Sequence, residues 1–147
     1  MEAENMYANI LVPIDGSENA EKAVKEAIAL AQIHHSKLHV VMVATDQRYI
    51  QYGVTLGQDV MDQFEKAADK TLQQAEDEIK AAGVAVETHY VVGIPKIQIA
   101  EKLPVTLKTD LTVMGKSGMS GISRAFLGST TEYVVRHSES NVLVVEN

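Results

Sequence analysis

Between positions 111 and 131 the chain carries no acidic residue, although its formal charge at pH 7 is -7. That interval holds Lys116, Arg124, four glycines (Gly115, Gly118, Gly121 and Gly128) and a run of hydroxyls that includes Ser117, Ser120, Ser123, Ser129 and Thr130. Glycines let backbone N–H groups approach a charged ligand without an intervening Cβ, and they tolerate positive φ. The spacing G-x-x-G-x9-G-S, met by Gly115, Gly118, Gly128 and Ser129, puts the last pair at the start of a helix. Free N–H groups and the positive end of the macrodipole favour anionic oxygens there. The Ser129 hydroxyl adds a donor, and an acid anywhere in the loop would repel the ligand. This is the chemistry of a phosphate site, although Gly and Ser are also ordinary loop residues.

The whole chain sets the bounds. At 147 residues it is long enough for one domain, expected to span 1–147, with a real core. Apolar residues at 46% and charged residues at 22% are globular rather than disordered proportions. A sequence pI near 5.2 argues against general nucleic-acid or anionic-membrane binding, so any anion must be held locally. The absence of cysteine excludes disulfides, thiol catalysis and Cys-based metal sites. The first residues, MEAENM, are acidic and polar, and no apolar stretch of signal-peptide or membrane-span length follows. A soluble, cytoplasmic protein with no membrane partner is expected. The histidines are His34, His35, His39, His89 and His137, and no pair has ligand spacing on a helix face, which argues against a metal–imidazole site.

The elements that must position the glycine loop follow from periodicity. Residues 8–14, ANILVPI, read as a buried strand ending at Asp15-Gly16-Ser17, with Ser17 a helix N-cap. Ala20, Ala23, Val24, Ala27, Ile28 and Ala31 make one face of the helix that follows, which stops near His34-His35. A second strand covers 38–44. A long helix then carries Val60, Met61, Phe64, Ala67, Ala68, Leu72, Ala75, Ile79 and Ala82 on its stripe and ends at Gly83. A third strand, 85–92, leads to a short helix beginning at Pro95 that Pro104 should break or kink. Residues 111–114 form the fourth strand, about 129–138 the last helix, and 142–146 the fifth strand. Short apolar strands alternating with amphipathic helices imply an α/β fold: an open, doubly wound, five-stranded parallel sheet with helices on both faces. Such sheets bind ligands at the carboxyl ends of strands where the strand order reverses. If strands one and four are neighbours, Asp15-Gly16-Ser17 and the glycine loop face one crevice.

Other phosphate-binding patterns fail. A P-loop would need glycine where Asp110 stands, and the dinucleotide fingerprint needs three glycines after strand one, where the chain has only Gly16. A receiver domain needs an acid at the end of strand three, which reads Val91-Val92-Gly93. The spaced glycines, together with VPIDGSE after strand one and the order of all the elements, resemble the nucleotide-binding branch of the universal stress protein family.

That resemblance implies a Rossmann-like domain that binds ATP with Mg²⁺ or Mn²⁺ and takes part in stress signalling. Slow hydrolysis, self-phosphorylation, binding of AMP or cyclic AMP, and a nucleotide-free adaptor are the alternatives. It implies that Pro13, Ile14 and Val43 line the adenine pocket with Met114. Gly115, Gly118, Gly128, Ser129 and Thr130 would hold the phosphates. Asp15 would contact the ribose or the metal; its simpler role is an N-cap or turn residue. Val43 has a plain core alternative. Lys116 either pairs with a phosphate or is a solvated lysine, and Arg124 has the same two readings. The family resemblance also implies a homodimer formed by pairing the last strand, Val142 to Val145, with its symmetry mate.

Overall fold

Strands Asn9–Pro13 (β1), Lys37–Ala44 (β2), Ala85–Val92 (β3), Leu111–Gly115 (β4) and Asn141–Val145 (β5) form one sheet in the order β3-β2-β1-β4-β5. Every pairing is parallel. The computed structural model describes residues 6–45, 57–116 and 127–146. The strand order reverses beside β1, whose neighbours are β2 and β4, so strands one and four are indeed adjacent.

Alternation along the strands divides the core into two layers. Ile10 and Val12 of β1, Leu38 and Val40 of β2, and Leu111 and Val113 of β4 face helices Glu18–His34 (α1) and Gln58–Ala81 (α2). Leu11, Val41 and Met114 face the other way, onto Ile99, Ala100, Leu103 and Val134. Period-two burial on both sides is what a doubly covered sheet requires.

The helix ends follow their residues. Ser17 caps α1, its Oγ accepting from Ala20 N–H at 3.2 Å, and His35 ends it in the left-handed region at φ 57°. Gly83, at φ 78°, closes α2. Its N–H bonds to Lys80 O, and Val84 N–H reaches back to Ile79 O, so carbonyls of the last turn are satisfied. The α2 stripe is buried only from Ala68 onward, at Ala68, Leu72, Ala75 and Ile79; Val60 and Phe64 are more than a third exposed. Length explains this correction. Twenty-four helical residues rise about 36 Å, whereas the eight of β2 span about 26 Å, so the first turns overrun the sheet.

After β3 the chain is helical through Pro95–Ile97 (α3), a π turn at Gln98–Lys102, and Leu103–Thr106 (α4). The irregularity expected of Pro104 takes this form. Proline has no N–H for the carbonyl four residues earlier, and its ring crowds that carbonyl. Here the wider π turn relieves the crowding. The Ala100 carbonyl accepts from Glu139 N–H at 3.1 Å instead, tying this segment to the turn that follows the last helix, Ser129–His137 (α5).

Candidate functional site

A crevice of about 790 Å³ opens where β1 and β4 part. The two strands pair only through Ile10–Leu111 and Leu11–Thr112. Pro13 marks the separation. Ile14 N–H bonds to Val41 O at 2.9 Å, on the β2 side, so alternation aims position 13 at β4, and proline has no N–H to donate there. Pro13, Ile14, Asp15, Val43, Met114, Gly115, Gly128, Ser129 and Thr130 all line this space. The structure thus brings together nine of the residues singled out from sequence.

Of the remaining two, only Lys116 is described. Lys116 is not in the lining: its Nζ lies 3.4 Å from Glu146 Oε1, at the end of β5, with the side chain only 12% exposed. Gly118 lies outside the described residues, as do Arg124, Ser117, Ser120 and Ser123.

The loop between β4 and α5 is tied at its base. Gly128 N–H bonds to Lys116 O at 3.1 Å, and the buried Thr131 Oγ1 donates to Gly115 O at 3.0 Å. These bonds fix the start of α5 against the crevice. Its first intrahelical bond, Glu132 N–H to Gly128 O at 2.9 Å, leaves the N–H groups of Ser129, Thr130 and Thr131 ahead of it. Gly128 is the N-cap and makes no side-chain capping bond, and among the described residues no side chain takes those donors.

The two motif glycines differ in purpose. Gly128 has φ -59° and ψ 150°, which any residue adopts. Gly115 is needed for packing: a Cβ there would lie 2.9 Å from the backbone C and O and the Cβ of Asn19 in the first turn of α1. Its absent side chain lets helix and strand approach, rather than making room for ligand.

Asp15 is exposed at the mouth, and its Oδ1 accepts from Ser17 N–H at 3.0 Å. The turn role is therefore real, and Oδ2 is the oxygen left for a ribose hydroxyl or a cation. Opposite stand Lys96, Tyr133, Arg136 and His137, none singled out as lining from the sequence. Lys96 Nζ lies 5.1 Å from the Tyr133 ring centroid, and the His137 ring is 4.3 Å from it. Tyr133 donates its hydroxyl proton to Glu101, and that bond, with burial, holds the phenol above its usual pKa. The spacing of 133, 136 and 137 on one helix face was the available signal.

Strand order and crevice together define a Rossmann-like α/β domain with its ligand space at the topological switch point. Comparison with known proteins makes this specific. The model of the universal stress protein family matches residues 6–146, and the chain belongs to that family. A putative universal stress protein of Staphylococcus haemolyticus is 35% identical over 140 residues, covering 95% of this chain and 84% of that protein. Among solved structures, the universal stress protein UspA from Lactobacillus plantarum is 30% identical, with a TM-score of 0.81 over 95% of this chain and 98% of its own. A universal stress protein in complex with cAMP is also 30% identical, with a TM-score of 0.68 over 95% and 97%.

Proposed function

We propose that this single-domain protein is a cytoplasmic, stress-linked module that binds an adenine nucleotide in the crevice, foremost ATP with Mg²⁺ or Mn²⁺. The observation that carries the reading is the start of α5, held facing the crevice by Thr131 and Gly128 with three backbone donors ahead of its first helical bond. The base lies against Val41, Val43 and Met114, and the ribose lies near Asp15. The phosphates meet the N–H groups of residues 129–131 and the Ser129 hydroxyl. The related protein in complex with cAMP supports an adenine ligand and makes a cyclic or monophosphate nucleotide the second reading.

Asp15 fits a cation because a carboxylate beside polyphosphate is repulsive unless a divalent ion or a hydroxyl separates them. The described crevice has one other carboxylate, Glu132, which lies 3.6 Å from Arg136 Nε. With Asp15 on metal or ribose and Glu132 beside Arg136, the site is suited to holding nucleotide rather than to activating water. β5 forms one edge of the sheet, and pairing with its twofold mate would satisfy that edge in a homodimer.

Calorimetric titration of Asp15→Asn tests the metal assignment, since the amide keeps an acceptor for Ser17 N–H. The expected result is about a tenfold or larger loss of Mg²⁺-ATP affinity, about 1.4 kcal/mol or more, with metal-free ATP binding at least as well as before. An equal loss with ATP, metal-free ATP and adenosine would move Asp15 to the ribose.

A further inference from the structure

Toward the amino ends of β2 and β3, on the crevice face but two residues before Val41, lies a second group of side chains with convergent chemistry. His39 is opposite Glu87 in the strand register, and His89 follows two residues along β3, so all three share one face. His39 Nδ1 is 3.3 Å from His89 Nε2 and 3.6 Å from Glu87 Oε1, and His89 Nε2 is 3.1 Å from that same oxygen. We infer that His39, His89 and Glu87 form a divalent transition-metal site of the zinc class, with two imidazole nitrogens, one carboxylate oxygen and a fourth position open to water.

Three observations carry this. Zinc bonds of about 2.0–2.1 Å set tetrahedral donors roughly 3.3–3.4 Å apart, and the three measured separations bracket that value. Each end of the triad is also oriented from behind. Asn9 Oδ1 lies 3.0 Å from His39 Nε2, which places that ring's proton on Nε2 and frees the Nδ1 lone pair. Lys37 Nζ holds Glu87 Oε2 at 3.2 Å, turning Oε1 toward the rings. Outer partners of this kind fix the tautomer and direction of metal ligands. Finally, exposure is graded: the side chains of His39, His89 and Glu87 are 7%, 21% and 48% exposed, so the site is walled at the back and open at the front.

The protonation states agree. Burial, then the neighbouring His89, lowers the pKa of His39 and keeps it neutral; the Lys37 bond lowers that of Glu87 and keeps it ionised. A bound ion would need the His39 Nδ1 and His89 Nε2 lone pairs, so His89 would carry its proton on Nδ1. Helix-face spacing misses such a site, because its ligands come from two adjacent strands.

The test is a visible-absorption titration of the full chain, stripped of nucleotide and metal, with Co²⁺. One equivalent should give tetrahedral ligand-field bands that Zn²⁺ then bleaches. His89→Ala and Glu87→Gln should each weaken uptake at least about tenfold, and Asn9→Ala about 10–100-fold. Unfolding curves of the metal-free variants would confirm the fold, and the exposed Glu87→Gln suffices if His89→Ala does not fold. Absence of tetrahedral bands at one equivalent, or unchanged uptake in Glu87→Gln, would overturn the inference.

Discussion

Ser129→Pro is expected to weaken ATP binding at least about a hundredfold, while leaving adenosine affinity unchanged and the free protein as stable as before. The substitution is sterically mild. Position 129 is the first residue of α5, where proline is favoured. Gly128 before it has ψ 150°, the extended conformation that a following proline requires. No intrahelical bond is lost, because the residue 129 N–H precedes the first one. What disappears is one backbone donor and one hydroxyl donor at the proposed phosphate position. Hydrogen bonds to charged groups are worth about 1.5–3 kcal/mol each, so two of them account for a hundredfold or more. Equal losses for ATP and adenosine, measured by calorimetry, would instead mean that the crevice itself had been deformed.

Gly115→Val should act in the opposite sense, on stability before ligand. Its Cβ would meet the Asn19 backbone at 2.9 Å, and the first turn of α1 cannot yield without disturbing the Ser17 cap. Overpacking of this kind costs about 3 kcal/mol at the upper end of its usual range. For a chain of this length that lowers the unfolding midpoint by roughly 10 °C, readable by calorimetry without nucleotide. An unchanged midpoint with lost nucleotide binding would make Gly115 a ligand residue and not a packing one. Together the two variants separate roles that a single glycine pattern conceals.

That pattern illustrates what was legible. Gly115, Gly128 and Ser129 could be placed beside Asp15 because the strand–loop–helix order around them leaves few topologies, and β1 beside β4 is the outcome. The sheet itself was readable for the same reason: buried strands and helix stripes write their periods into the residues. The rest depended on distances between segments remote in sequence. Lys116 reads as a phosphate partner or a free lysine until Glu146, thirty positions later, is seen beside it. His39 and His89 are fifty positions apart, and only strand register joins them. Val60 and Phe64 fit the α2 stripe perfectly well, yet stripes say nothing of where the sheet ends. Pro104 announces an irregular helix, but not that the carbonyl it leaves without a donor, Ala100 O, is met by Glu139 N–H from beyond the last helix.

An adenine nucleotide held at the start of α5 should stabilise the folded chain. The most direct test is thermal unfolding of nucleotide-stripped protein with Mg²⁺ and ATP, ADP, AMP, cyclic AMP or GTP in turn. Ligand at a hundred times its dissociation constant adds about 2.7 kcal/mol, a midpoint rise of roughly 5–10 °C. That rise is expected at the lowest concentration with ATP, with GTP far behind. No shift with any adenine nucleotide, from protein confirmed folded and stripped, would contradict it.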